Sequence, residues 1–167
     1  ALPFPRPVHR LDAPTTGLVL IAKSERAQVN LGHQLQTKKI SKRYKAIIVG
    51  SLPAQTGEIN SLIDKKSSIT TYKVLEVTRA HTYDTISLVD LYPVTGRTHQ
   101  LRIHMKEQGC PIIGDKMYGE DFKIIQGKGL LLCSDRVEFI HPTTGKNVVV
   151  EAPIPSKFYK FFKRESR

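Results

Sequence analysis

Apolar and polar residues alternate with a period of two along several stretches of this chain, which is the pattern of half-buried β-strands. Two such runs, residues 69–78 and 83–92, are separated only by the segment RAHT and predict an antiparallel pair. Further apolar runs predict strands at residues 17–23, 42–50, 130–134, 136–140 and 147–152. The first of these has no polar alternation, so we expect it to be a buried strand.

Three other segments carry helical signals. Ser24 can cap a helix over roughly residues 25–38, whose apolar residues fall on one face. A turn at residues 93–96 precedes a second predicted helix, from about Thr98 to Gln108, which Gly109 would end. A third helix is predicted at residues 156–166, with three phenylalanines on the face expected to pack onto the domain. Strands outnumber helices, so the pattern predicts a mixed, largely antiparallel α+β fold.

Composition adds a functional hint. The chain has 167 residues and no linker or repeat, so we expect a single domain over residues 1–167. Its 26 lysines and arginines outnumber 15 acidic residues, for a formal net charge of +11. Such an excess favours a polyanionic partner, although a basic surface that only aids solubility is the alternative. No apolar run is long enough to span a bilayer, and a membrane partner is not expected.

The cysteine and histidine positions argue against disulfides and metals. Cys110 and Cys133 are far apart, which is typical of reduced thiols in a cytoplasmic protein. The histidines lack a paired spacing with the cysteines, and no His-Glu-x-x-His motif occurs. We therefore expect no metal site.

The segment HRLD, residues 9–12, is the first candidate for chemistry. If residues 8–12 are extended, Arg10 and Asp12 face one way while His9 and Leu11 face the other. A carboxylate beside a cation stays ionised and can act as a nucleophile or a base. A surface ion pair without function is the alternative.

Two further clusters contain residues suited to binding. On the helix predicted within GRTHQLRIH, residues 96–104, the side chains of His99, Arg102 and Ile103 share one face, and a guanidinium there can grip a carboxylate bidentately. Tyr44, which lies among lysines and an arginine, could stack on a base while its neighbours hold phosphates. The alternatives are a solvated basic helix face and a core tyrosine.

Together these clusters resemble a known family. The segments HRLDAPTTGLVLIAK, SKRYKAIIVG, PVTGRTHQLRIHMKEQGCPIIGDKMYG and LLLCSDRVEFIHPTTGKNVVVEAPIP are similar, in this order and approximate spacing, to the successive motifs of the RluA-type pseudouridine synthases. The resemblance runs from about residue 7 to residue 158. It implies a mixed, mostly antiparallel curved sheet flanked by a few helices. It also implies an RNA uridine isomerase that cuts the N1–C1′ bond, rotates the uracil and rejoins it through C5, without a metal or cofactor.

The resemblance also implies roles for individual residues. Asp12 matches the catalytic aspartate, and Arg10 matches the arginine that fills the space of the flipped base. Tyr44 matches the tyrosine that stacks on the target uracil, and Arg102 matches the arginine that pairs with the catalytic carboxylate. Whether Asp12 attacks the ribose, attacks the base or removes a ribose proton stays open. Action at the ribose is preferred, because uracil is already a leaving group.

A second set of residues is assigned to substrate binding. Either Leu131 or Leu132 falls where the family places an apolar residue against the base, and the run of three leucines leaves the register open. Ile103 or one of these leucines would cover the second face of the uracil. Arg97 and His99 belong to the same motif as Arg102 and are expected to contact the substrate. The segment GCPIIGDKMYG is expected to be structural, with Asp115 capping it locally.

Some expectations concern what the sequence leaves open. Relatives usually carry a stretch with an NKPxG-like motif before HRLD, whereas only ALPFPRP precedes Val8, so we expect that an N-terminal portion is missing. The expected partner is ribosomal large-subunit RNA or tRNA, and a monomer is the default. The alternatives are a catalytically silent RNA-binding protein on the same fold and a carboxylate-based hydrolase. A hydrolase of this kind generally uses a second acid, and no acidic residue accompanies Asp12 in the other two clusters.

Overall fold

A central β-sheet with helices on both faces organises this computed structural model, which describes residues 5–119 and 129–166. The strands are β1 (Arg6–Pro7), β2 (Thr16–Gly17), β3 (Ile21–Ala22), β4 (Ser41–Val49), β5 (Thr56–Ile63), β6 (Lys66–Arg79), β7 (Thr85–Pro93), β8 (Leu132–Ile140) and β9 (Asn147–Glu151). The helices are α1 (Glu25–Gln36), α2 (Gln100–Glu107) and α3 (Ser156–Glu165). Within the described ranges, no helix has the length and apolar content to cross a membrane.

The strands of the main sheet follow the order β2-β8-β4-β7-β6-β5, and β9 also pairs with β8. Every pairing in this sheet is antiparallel except the short contact between β2 and β8. Strands β1 and β3 form a separate antiparallel pair. The α+β fold with a mostly antiparallel sheet, and the pairing of residues 69–78 with 83–92, are therefore confirmed.

The two faces of the sheet are covered by different helices. On one face Tyr44, Ala46 and Ile48 pack with Leu101 and Met105 of α2. Their shared side was predicted from the alternation along β4, and the structure confirms it. On the other face the intervening residues of β4 pack against α3, whose buried aromatic residues are Phe158, Phe161 and Phe162. The predicted apolar face of the last helix is therefore also confirmed.

Helix α1 begins where its capping residue predicted. The hydroxyl of Ser24 accepts a hydrogen bond from the amide of Ala27 at 3.3 Å, which satisfies one of the free amides at the helix start. Leu31 packs against Ile40 and Val137, and so ties the helix to the start of β4 and to β8. This contact places the end of α1 beside the cleft described below.

Two of the strand predictions were wrong, and one strand was missed. Residues 17–23 form no single buried strand: Gly17 pairs with β8 and Ile21 pairs with β1, so the segment is divided between two sheets. The two strands predicted at residues 130–134 and 136–140 are one strand, β8, which begins at Leu132 and in which Asp135 is the extra residue of a bulge opposite β4. Strand β5 was missed, because its sequence TGEINSLI is mostly polar and it lies at the sheet edge.

Candidate active site

A cleft of about 710 Å³ opens between the HRLD segment, the start of β4 and the turn before α2. Five of the predicted site residues line it: Arg10, Asp12, Tyr44, Arg97 and Leu132. They come from four separate segments of the chain. The structure therefore brings the HRLD segment together with Tyr44, Arg97 and Leu132.

The HRLD segment reaches the cleft as an irregular turn, whereas an extended strand was expected. The carbonyl of Asp12 accepts a hydrogen bond from the amide of Thr15 at 2.8 Å, which closes the turn. Leu11 packs against the core, and the imidazole of His9 accepts a hydrogen bond from the amide of Leu20 at 3.1 Å. Because the backbone bends, all four residues of the segment line the cleft, and the predicted alternation of faces does not apply.

Tyr44 lines the cleft together with Asp12. Its side chain extends from β4 and the residue is only 7% exposed. Burial raises the pKa of the Tyr44 phenol to about 12, and the negative charge of Asp12 acts in the same direction. The phenol therefore stays protonated at neutral pH, and its ring offers a rigid apolar surface beside a carboxylate.

Arg102 was expected to pair with Asp12, but it pairs with Asp115. Its Nε and Nη2 atoms donate to the two carboxylate oxygens of Asp115, at 2.7 and 2.8 Å. In the described part of the chain, no ion pair within 4.0 Å joins Arg102 to Asp12. Asp115 presents both oxygens in line with the guanidinium fork, and this bidentate geometry is the stronger arrangement. Asp12 acts on Arg102 only from farther away: its charge contributes to raising the pKa of Arg102, but less than the hydrogen bonds that Arg102 donates to Asp115.

Asp115 is more than the local cap that was expected. Its Oδ1 atom accepts hydrogen bonds from the amides of Met117 and Tyr118, at 3.0 and 3.1 Å, as a capping carboxylate does. Burial alone would raise the pKa of Asp115, but Arg102 and these two amides together lower it below the ordinary value. The carboxylate is therefore held ionised inside the protein, where it fixes Arg102.

His99 lies beside Asp12, but not on the helix that was predicted. Helix α2 begins at Gln100, and His99 precedes it in a left-handed conformation with φ 55°. Its Nε2 atom lies 4.0 Å from Oδ1 of Asp12, and its Nδ1 atom lies 3.0 Å from the hydroxyl of Tyr118. Ile103 is half-buried and does not line the cleft, so the predicted shared face of the helix does not form there.

Tyr118 is a neighbour of the site that sequence reasoning missed. Its ring contacts the imidazole of His99 edge-on, with centroids 5.7 Å apart, and the guanidinium of Arg102 lies 4.9 Å from its centre. The signal that could have found it is its position three residues after Asp115. A carboxylate that binds Arg102 and caps its own loop places the following tyrosine against that arginine.

The two candidate leucines point in opposite directions. Leu132 lines the cleft and belongs to the core cluster that contains Tyr44. Leu131 is fully buried on the other side, in the cluster that contains Phe158 of α3. Neighbouring residues entering a strand face opposite sides of the sheet, so only one of them can reach the cleft. Leu132 is therefore the one of the two candidates that lines the cleft, and its contact with the base stays a prediction.

Sequence comparison assigns the chain to a family. The family described as RNA pseudouridylate synthase matches residues 3–107, which is more than half of the chain. The chain belongs to this family. The match includes Asp12, Tyr44 and Arg102 and ends before Asp115.

Individual relatives agree with this assignment. The chain is 34% identical over 165 residues to the Bacillus subtilis protein named uncharacterized RNA pseudouridine synthase YhcT, covering 90% of this chain and 53% of the relative. It is 35% identical over 177 residues to ribosomal large subunit pseudouridine synthase D of Pseudomonas aeruginosa, with the same coverage of both chains. The chain thus spans about half the length of the curated relatives it matches.

Solved structures of family members share the fold. Human RNA Pseudouridylate Synthase Domain Containing 1 superposes with a TM-score of 0.79 at 27% identity, over 90% of this chain and 69% of that one. Human RNA Pseudouridylate Synthase Domain Containing 4 superposes with a TM-score of 0.78 at 22% identity, over 96% of this chain and 75% of that one, and shows the fold alone. The pseudouridine synthase fold expected from the sequence motifs is therefore confirmed.

Proposed function

We propose that this chain is a single catalytic domain of an RNA pseudouridine synthase, which converts particular uridines to pseudouridine. The observation that carries the proposal is the placement of Asp12 at a cleft lined by Tyr44 and Leu132, in a member of the RNA pseudouridylate synthase family. A carboxylate in the same cleft as an aromatic ring and an aliphatic side chain suits a nucleotide whose base packs on the apolar groups and whose ribose faces the acid.

The shape of the cleft supports binding of a flipped uridine. The uracil would stack on the ring of Tyr44, with the apolar side chain of Leu132 beside it. Taking a base out of its stack costs a few kcal/mol, on the order of magnitude seen for base-flipping enzymes. Arg10 is exposed at the cleft, where its planar guanidinium can occupy the space that the base leaves and offset part of this cost.

Asp12 is the proposed catalytic group. The reaction breaks the bond between N1 and C1′ and forms a bond between C5 and C1′. The proton on C5 is released to solvent and N1 takes up a proton, so that the product is an isomer of uridine. We favour action of the carboxylate at the ribose, by attack on C1′ or removal of a ribose proton, because the uracil anion is a competent leaving group. Tyr44 would position the base and stay protonated throughout.

The charge around the cleft supports an RNA substrate. Cationic side chains line it at Arg10, Lys38, Lys42 and Arg97, and among the described lining residues Asp12 is the only acid. Arg97 is anchored by two hydrogen bonds to the carbonyl of Ser67, at 3.1 and 3.2 Å. Fixed cations around a single carboxylate can hold the phosphates on either side of the target nucleotide.

The proposed substrate is ribosomal large-subunit RNA, with tRNA as the second candidate. A relative named for the large ribosomal subunit supports the first of these. We propose that the protein acts as a monomer in the cytoplasm, without a metal or cofactor. A catalytically silent RNA-binding protein is the alternative. The pairing of Arg102 with Asp115 instead of Asp12 is the observation that favours it.

Release of tritium from RNA that carries 5-tritiated uridine tests the proposal, because formation of the C5–C1′ bond must expel the C5 hydrogen. The parent protein should release tritium from one of the two RNA classes. Asp12→Asn should release none and still bind the RNA. The matched control is Asp84→Asn, which makes the same substitution at an exposed position away from the cleft and should behave like the parent. Tight binding without release by the parent would establish the silent binder instead.

A further inference from the structure

The imidazole of His99 lies between two groups that can each influence which of its ring nitrogens carries the proton. Its Nε2 atom faces Oδ1 of Asp12 at 4.0 Å, and its Nδ1 atom faces the hydroxyl of Tyr118 at 3.0 Å. The side chains of His99 and Asp12 are only 24% and 21% exposed. Residues other than glycine seldom adopt a positive φ, and here the left-handed backbone of His99 places its ring between these two partners.

The hydroxyl of Tyr118 is suited to donate to His99. Burial raises the pKa of Tyr118, and the carboxylates of Asp115 and Asp12 act in the same direction, whereas the positive charge of Arg102 lowers it. The phenol therefore keeps its proton and can give a hydrogen bond to Nδ1. A neutral imidazole that accepts at Nδ1 carries its own proton on Nε2, which is the nitrogen facing Asp12.

Tyr118 is itself held in place by the buried ion pair. Asp115 binds both the guanidinium of Arg102 and the amide of Tyr118. The guanidinium of Arg102 in turn lies over the ring of Tyr118. The loop that contains Asp115 and Tyr118 thus forms a second layer behind His99, much as outer-shell groups fix the tautomer of metal-binding histidines.

We propose that Tyr118 is a positioning residue that acts through His99, fixing the tautomer whose Nε2–H is directed at the carboxylate of Asp12. This N–H would hold Asp12 in the orientation needed for isomerisation. The 4.0 Å separation fits a contact that shortens when substrate closes the site. This inference rests on the proposed function, because Tyr118 can help to position Asp12 for catalysis only if Asp12 is the catalytic group.

The first test compares Tyr118→Phe with the parent. The phenylalanine keeps the ring contacts with His99 and Arg102 and removes only the hydroxyl. Loss of one hydrogen bond to a reacting assembly should slow single-turnover tritium release about 10-fold. The dissociation constant for RNA should stay within about 2-fold, because no phosphate contact changes. Tyr159→Phe, at a side chain that is 60% exposed, is the matched control and should leave both values unchanged.

The second test separates positioning through His99 from a general structural effect. Asparagine tolerates the left-handed backbone, so His99→Asn should fold. Tyr118→Phe should add no further loss of rate in the His99→Asn background. Equal losses in both backgrounds, or a parent rate in Tyr118→Phe alone, would overturn the proposal.

A measurement without substrate distinguishes this proposal from the proposed function. The ¹⁵N shifts of the His99 ring report which nitrogen carries the proton. The parent should show protonated Nε2, and Tyr118→Phe should show a mixture of tautomers. An unchanged Nε2–H form in Tyr118→Phe would refute the role of Tyr118 even if the parent is active. A parent that releases no tritium but shows the expected tautomers would contradict the proposed function alone.

Discussion

Replacing Asp115 by asparagine would break the buried ion pair that holds Arg102. The side chains of Arg102 and Asp115 are 5% and 0% exposed, so water cannot solvate the guanidinium once the carboxylate is lost. The asparagine oxygen can still accept hydrogen bonds from the amides of Met117 and Tyr118. Its NH₂ group, however, would take the place of Oδ2 and face the Nε–H of Arg102, and the buried cation would be left without a full counter-charge.

The expected cost follows from this geometry. Removing one partner of a buried ion pair costs about 3–5 kcal/mol. Because the two backbone hydrogen bonds survive, we expect the lower end, about 3 kcal/mol, in the free energy of unfolding. For a chain of this size each kcal/mol lowers Tm by about 2–4 °C, so Tm should fall by roughly 6–12 °C.

Thermal and urea unfolding of the two proteins measure this cost directly. Asp84→Asn makes the same chemical change at an exposed side chain and should shift Tm by no more than about 2 °C. At a temperature where Asp115→Asn is still folded, its tritium release should be slowed more than its RNA binding is weakened, because Arg102 and Tyr118 lose their support. A Tm within about 2 °C of the parent would show that the pair is not the anchor inferred here.

Four other outcomes are expected. Leu131→Ala and Leu132→Ala should each cost about 2–5 kcal/mol in urea unfolding, but only the variant at Leu132 should also slow tritium release per folded molecule. Arg97→Ala should lower the slope of log Kd for RNA against log salt by about 1, measured by filter binding. The phenol pKa of about 12 predicts that Tyr44→Phe leaves the pH dependence of tritium release unchanged up to about pH 10. Burial lowers the pKa of His104 below 6.5, so the contribution of the neutral imidazole to stability is complete above that pH and is lost as the pH falls. Between about pH 7 and pH 5, Tm of His104→Gln should therefore drop less than Tm of the parent.

Features that depend on neighbouring residues could be predicted from the sequence. The cap at Ser24 involves an amide three positions away, and the shared face of Tyr44, Ala46 and Ile48 follows from strand alternation alone. The buried face of α3 follows from helical spacing in the same way. Each of these contacts is set within one element, so its geometry is fixed before the tertiary structure is known.

Features that depend on competition between distant partners could not be predicted. Two carboxylates, Asp12 and Asp115, were available to Arg102, and residue types alone do not reveal which one presents both oxygens to the fork. The register of Leu131 and Leu132 required the position of β8 relative to β4. The start of α2 could not be predicted either: the helix begins at Gln100 because His99 before it has a left-handed backbone. A helical pattern of residue types does not show where the backbone must leave the helix so that a side chain can meet other groups.

The position of Asp12 depends as much on β8 as on its own motif. Four residues separate it from Gly17, which pairs with Ser134 in the parallel contact between β2 and β8. The backbone φ of Gly17 is +116°, and a Cβ added there would lie 2.1 Å from the carbonyl oxygen of Ser134. Only glycine allows this approach, and the approach brings the Asp12 turn alongside the strand that carries Leu132. The glycine of the first motif therefore acts on the site through strand pairing: it brings the turn that contains Asp12 and the strand that carries Leu132 together across more than 100 residues of chain.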